Sequence, residues 1–129
     1  MKFSYTLLYV KNLKSTVSFY EKAFGLKCRF IHESGLYAEM ETGSTTLAFT
    51  QHEFLETLNL KYLKASPSSL PLGMQISFEP EDVDKAYQKA IKAGAKEVIA
   101  PNDTPYGWRC AFLRDPDGIL VELAKCLEE

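Results

Sequence analysis

Two stretches of this chain, residues 5–30 and 74–99, run through the same order of patterns, and that repetition constrains the fold more than any other feature. In the first, Tyr5 to Val10 is a β-branched and aromatic run, and Asn12 stands where a helix N-cap belongs. Leu13, Val17, Tyr20 and Phe24 then fall on one helical stripe that Gly25 ends. In the second, Met74 to Phe78 is the strand, Glu81 or Asp82 the cap, Val83, Tyr87 and Ala90 the stripe, and Gly94 the stop. Extended segments follow each helix. They are Lys27 to Glu33, Leu36 to Glu41 and Thr45 to Gln51 in the first half, and Glu97 to Ala100, Gly107 to Arg114 and Ile119 to Ala124 in the second.

The turns between the last two strands of each half differ in kind. Glu41-Thr42-Gly43-Ser44 is turn-rich, and Asp115-Pro116-Asp117-Gly118 places a proline and a glycine where a tight turn uses them. Each half therefore reads as βαβββ, an α+β arrangement, with module one at residues 1–63, a Ser/Pro-rich linker at 64–71 and module two at 72–129. Phe54 to Leu63 adds helical character before the linker. Modules this small have thin cores alone, so packing them together, within one chain or in a homodimer, is the expected way to bury enough surface.

Composition removes several function classes. With 15 Lys+Arg against 17 Asp+Glu and no basic stripe, the chain lacks the electrostatic footprint of a nucleic-acid binder. No apolar stretch suits a membrane span or a signal peptide, and the three cysteines fit neither a disulfide framework nor a zinc knuckle. Reduced thiols in a cytoplasmic protein are the expectation. No nucleophilic triad, phosphate-binding loop or dinucleotide motif is present.

Two stretches carry a resemblance. Leu7 to Leu13 followed by Ser18-Phe19-Tyr20-Glu21-Lys22-Ala23-Phe24-Gly25-Leu26, and Trp108 to Leu123 with its Asp-Pro-Asp-Gly turn, resemble the vicinal oxygen chelate superfamily, which includes glyoxalase I, bleomycin-resistance proteins and extradiol dioxygenases. The resemblance implies that the two βαβββ modules form a cup-shaped mixed sheet, completed in a homodimer. It implies less about function, because this scaffold carries many chemistries.

In metal-dependent members, the first and last strands of each module supply four ligands to a divalent ion. Carried over, those positions fall on Tyr5, Ala48, Gly73 and Glu122. Alanine and glycine have no side-chain donor and a phenol is a poor ligand, so no metal and no other cofactor is expected. His32 and His52 are the only histidines that a shifted metal site would use, and neither has a second ligand at a recognised spacing; a surface or loop-end place is expected for both.

Strand alternation then names a binding face. Tyr5, Leu7 and Tyr9 point one way while Thr6, Leu8 and Val10 face the helix; Thr46 and Thr50 flank Ala48, Gln75 and Ser77 follow Gly73, and Leu120 and Ala124 accompany Glu122. Such a face suits an aromatic or planar compound, with Tyr5, Leu7, Tyr9, Ala48, Thr50 and Gln75 in contact. Trp108 is either a lid or an aromatic plug. Arg109 joins the face if the hairpin closes as a four-residue loop, and Cys110 does otherwise. Glu122 is the candidate catalytic residue, as a proton shuttle, or else a family remnant held by Arg109 or a tyrosine, or a ligand-binding charge without catalysis. Three readings follow: a metal-independent protein that sequesters a planar small molecule, as resistance proteins do; a lyase, isomerase or dioxygenase with a metal site rearranged around Glu122; or a structural or protein-interaction module with a vestigial pocket. Whether the chain is an enzyme stays open at this stage.

Overall fold

The computed structural model describes residues 1–128 and divides into two compact units, one of residues 1–64 and one beginning at Ala65. The first holds β1 (Tyr5–Val10), α1 (Leu13–Phe24), β2 (Lys27–Ile31), β3 (Tyr37–Glu41), β4 (Thr46–Gln51) and α2 (His52–Thr57). The second holds β5 (Gln75–Phe78), α3 (Val83–Lys92), β6 (Lys96–Asp103), β7 (Trp108–Arg114) and β8 (Leu120–Cys126). Both are βαβββ, as the repeat predicts.

Each unit folds its strands into a four-stranded mixed sheet, ordered β1-β4-β3-β2 in one and β5-β8-β7-β6 in the other. The last strand of each returns parallel to the first, and the remaining pairs are antiparallel. Capping starts the helices where expected: Asn12 accepts from the Ser15 N–H and Asp82 from the Lys85 N–H, each at 3.0 Å. Asp82, not Glu81, is thus the second cap.

One face of each sheet is closed by its helix. Leu13, Val17 and Tyr20 are buried in the first unit, where the Tyr20 and Phe49 rings lie 4.9 Å apart. In the second, Val83, Tyr87 and Ala90 are buried, as are Ala111, Leu113, Val121 and Leu123 of β7 and β8. The alternation along β1 confirms the predicted facing: Leu8 and Val10 are buried, whereas Tyr5 and Leu7 are exposed.

Three local departures have physical causes. The predicted helix over Phe54 to Leu63 stops at Thr57, because Asn59 takes a left-handed backbone (φ 58°) and the Leu60 N–H returns to the Leu55 carbonyl, a helix-ending pattern that Asn tolerates. The β7–β8 hairpin closes over residues 115–119 rather than over four, since Arg114 pairs with Leu120. Asp115 sets that length: its Oδ1 accepts from the N–H groups of Asp117 and Ile119, both at 2.9 Å. Finally, the Ser/Pro stretch is fastened to this hairpin, with Arg114 Nη2 donating to the Ser66 carbonyl at 2.9 Å and Nε to the Gly118 carbonyl at 3.0 Å.

Candidate functional site

The open face of the second sheet brings together residues from β5, β7 and β8. Ser77 opposes Glu122 across the parallel pair, and Gln75 opposes Leu120. Ser77 Oγ donates to Glu122 Oε1 at 2.7 Å, and Gln75 Nε2 donates to the same oxygen and to Ser77 Oγ, both at 3.1 Å. Two donors therefore converge on one carboxylate oxygen. Among the described residues these donors, and not Arg109 or a tyrosine, hold Glu122, unlike one of the alternatives read from the sequence.

Register also relocates one predicted position. In the first unit Tyr5 opposes Thr46, and Ala48 follows on the same face; in the second, Gln75 opposes Leu120, and Glu122 follows on the same face. The step from Tyr5 to the cap Asn12 equals the step from Gln75 to the cap Asp82. The counterpart of Tyr5 is therefore Gln75 and not Gly73, which lies before β5. On the resemblance, with this register, the four ligand positions fall on Tyr5, Ala48, Gln75 and Glu122. One carboxylate, one neutral amide and a phenol are a poor set for a divalent ion, and Ala48 offers no donor. Among the described residues no group of three or more His, Cys, Asp or Glu side chains is placed to hold a metal.

The five-residue hairpin loop decides what else joins this face. Cys110 opposes Ala124 and Phe112 opposes Glu122, so Trp108 and Cys110 share the Glu122 side. Arg109 lies on the other side, contrary to the expectation for a four-residue loop. There its guanidinium forks onto Asp84 of α3 at 2.7 and 3.0 Å and reaches Asp103 at 2.8 Å. That partner holds the Asp84 carboxyl below its ordinary value.

A cavity of about 390 Å³ opens on the Glu122 side, walled by Ser77, Phe78, Tyr106, Trp108, Cys110 and Glu122. Glu79 and Ala124 complete it. Its size is within the roughly 300–1,000 Å³ of small-molecule sites. Trp108 is 38% exposed and so presents its indole to the opening instead of plugging the core. Burial, with the Glu122 charge behind it, raises the Cys110 thiol above its ordinary value, which makes it a wall and not a nucleophile. Sequence reasoning missed Phe78, Glu79 and Tyr106. Tyr106 lies in the turn before Trp108, where Gly107 (φ 87°) and the Gly107 N–H to Thr104 carbonyl bond fold the chain back. Its signal was present in Pro105-Tyr106-Gly107.

On the first sheet, register places Tyr5, Leu7, Tyr9, Ala48 and Thr50 on one face, as predicted. Ala48 and Thr50 are nevertheless buried. Opposite Ala48 stands Glu39, which was not foreseen. Arg29 Nη1 donates to Glu39 at 2.8 Å and to Thr46 at 3.3 Å, and its other nitrogens hold Glu41 at 3.0 and 3.1 Å. Tyr37 Oη donates to the second Glu39 oxygen at 2.7 Å, and burial together with this carboxylate raises the Tyr37 hydroxyl above its ordinary value. Tyr9 meets the Tyr62 ring edge-on at 4.9 Å. His52 is buried, not at the surface; it stacks on Tyr62 and its Nδ1 lies 2.6 Å from Tyr62 Oη. His32 is exposed and its Nδ1 is taken by Ser34.

A sequence model of the glyoxalase/bleomycin resistance protein/dioxygenase superfamily matches residues 2–123. The chain belongs to this superfamily. It is 29% identical over 128 residues to an uncharacterised Bacillus subtilis (strain 168) protein, YraH, across 98% of this chain and all of that one. Among solved structures, a glyoxalase/bleomycin resistance protein/dioxygenase family enzyme from Burkholderia phytofirmans PsJN superposes with a TM-score of 0.82 at 26% identity, covering 98% of this chain and 100% of that one. A glyoxalase-related enzyme from Fulvimarina pelagi superposes at 0.82 with 18% identity, over 96% and 87% of the chains, and shows the fold alone. The superfamily assignment agrees with the repeat and with the α+β fold expected from it.

Proposed function

We propose that this superfamily member is a metal-independent small-molecule-binding protein that holds a planar aromatic compound over the open face of its second sheet, in the manner of a sequestering or resistance protein. The observation that carries this reading is the cavity in which Trp108, Tyr106 and Phe78 surround a carboxylate already fixed by Ser77 and Gln75. Aromatic walls give a flat ligand stacking area at low entropic cost, and the polar groups at the base fix its orientation. The donor set at the four ligand positions supports metal independence. Tyr5 and Leu7, exposed on the first sheet, are further candidate ligand contacts; Ala48, Thr50 and Tyr9 are framework beneath them. A cytoplasmic homodimer is the form we propose, supported by three unpaired cysteines and by superfamily membership. Among the described residues no helix is long and apolar enough to cross a membrane.

One observation favours a second reading. With Oε1 held by two donors, Glu122 Oε2 makes no hydrogen bond among the described residues, which leaves it able to take a proton from a bound substrate, as an isomerase or lyase of this superfamily would require. Elemental analysis and calorimetry on protein purified without chelators test the pair. The binding reading expects no stoichiometric metal, together with saturable uptake of a planar aromatic compound that alters Trp108 fluorescence. Stoichiometric nickel, zinc, manganese or iron, lost on Glu122→Ala, would overturn it in favour of the metal-dependent enzyme.

A further inference from the structure

The charge of the cavity narrows the ligand class, and this step rests on the binding reading above. We infer that the second unit's cavity selects a planar cation. Two of its wall residues, Glu79 and Glu122, are acidic, and none is a lysine or arginine. Glu79 makes no hydrogen bond or ion pair among the described residues, and Glu122 keeps Oε2 as an unused acceptor.

The two arginines of β7 do not neutralise this pair. Arg109 is committed to Asp84 and Asp103 on the helix side of the sheet, and Arg114 to the carbonyls of Ser66 and Gly118 at the hairpin. An anion entering the cavity would meet two carboxylates with no counter-charge, whereas a neutral ring would offer Glu122 Oε2 at most an uncharged donor. A flat cation answers both needs. Its N–H donates a charge-assisted hydrogen bond to Glu122, and its positive ring system lies against the electron-rich faces of Trp108 and Tyr106.

The test uses three tricyclic probes of matched shape on the full chain: protonated 9-aminoacridine, neutral acridone and anionic acridine-9-carboxylate, titrated by calorimetry with Trp108 emission as a second readout. The cation is expected to bind at least about tenfold more tightly than acridone, with affinity falling as salt rises, and the carboxylate to bind most weakly. Glu122→Gln keeps the side-chain shape and should bring the cation close to the level of acridone, with a much smaller effect on acridone itself. Glu79→Gln, at an exposed position, should weaken the cation alone and by less. Acridone or the carboxylate binding as tightly as the cation, or a cation preference untouched in both variants, overturns charge selection while the aromatic-cavity reading stands. Failure of all three probes to bind overturns both.

Discussion

Ser77 and Glu122 face each other across the parallel β5–β8 pair of the second sheet, and their 2.7 Å hydrogen bond ties the first strand of that unit to its last. A glutamate on an open sheet face has several rotamers to choose from. Here Ser77 and Gln75 on β5 remove the choice, so the carboxylate is presented to the cavity in one pose.

Removing that restraint should therefore act on binding more than on folding. In Ser77→Ala water replaces the lost donor at this solvent-facing position, so stability should fall by no more than about 1 kcal/mol. Affinity for a planar cation should fall several-fold, because Glu122 must then be ordered when the ligand arrives. Urea denaturation and calorimetric titration of the same variant check the split; equal losses in both would show the bond to be structural only.

Asp115 is 2% exposed and caps two N–H groups of the hairpin loop. Asp115→Ala should cost about 2–3 kcal/mol in urea denaturation, since two buried donors lose a charged acceptor. Asp115→Asn keeps one acceptor oxygen and should cost clearly less. The loop also sets the strand register, so the alanine variant should lose Trp108-reported binding in proportion to any slippage.

These elements also mark what was legible in the sequence. The repeat, both helix caps and the facing of β1 follow from local patterns that the structure keeps, because amphipathic helices and half-buried strands are dictated by their own periodicity. Hairpin length was not legible: whether Ile119 belongs to the loop or to β8 turns on the Asp115 side chain, and one residue there exchanges Arg109 for Cys110 on the Glu122 face. The Arg29–Glu39–Tyr37 network was hidden because a charged residue in a strand reads as solvent-facing. Its one clue was Tyr37, Glu39 and Glu41 at alternate positions beside an arginine-bearing strand. The ligand position expected at Gly73 falls on Gln75 by strand pairing and by the step to the Asp82 cap, a count the sequence also held.

The same ion pairs give a pH signature. Arg29 holds Glu41, and Arg109 holds Asp84, below their ordinary values of 4.5 and 3.8. A carboxyl whose value is depressed by folding contributes stability above the unfolded value, and that contribution is lost as pH falls through the folded one. Urea midpoints should thus decline from about pH 5 downward. The decline should be shallower in the Glu41→Gln, Asp84→Asn double variant, and an unchanged slope would remove these two pairs from the acid sensitivity. Since the Arg109 pairs sit on the helix side, Arg109→Ala should leave ligand affinity within about twofold of the parent.

Gly118 fixes the seat of the Ser/Pro stretch. Its φ of 90° is a conformation that side chains resist, and a Cβ there would meet the Ser66 carbonyl carbon and oxygen at 2.6 Å. Neither is the end of a flexible side chain, so backbone must move. Gly118→Ala should destabilise by at least about 2 kcal/mol in urea denaturation. Arg114→Met, which removes the guanidinium but keeps the backbone relaxed, should cost less; the reverse order would place the strain elsewhere.

Ala48 offers the sharpest test of whether the first unit could supply a carboxylate to a metal. Metal-dependent relatives are expected to carry a glutamate there, yet here the position is fully buried and stands opposite Glu39, whose two oxygens are already taken by Arg29 and Tyr37. A second carboxylate at this point would be buried beside the first with no cation left to share, since Arg29 is also committed to Glu41. Ala48→Glu should therefore cost about 3–5 kcal/mol instead of restoring metal affinity. Ala48→Gln, of equal volume and no charge, separates crowding from repulsion and should cost less. Adding Glu39→Gln to Ala48→Glu should recover part of the loss. Recovery of stability by a divalent ion in the single Ala48→Glu variant would show instead that only the missing carboxylate keeps this chain from binding metal.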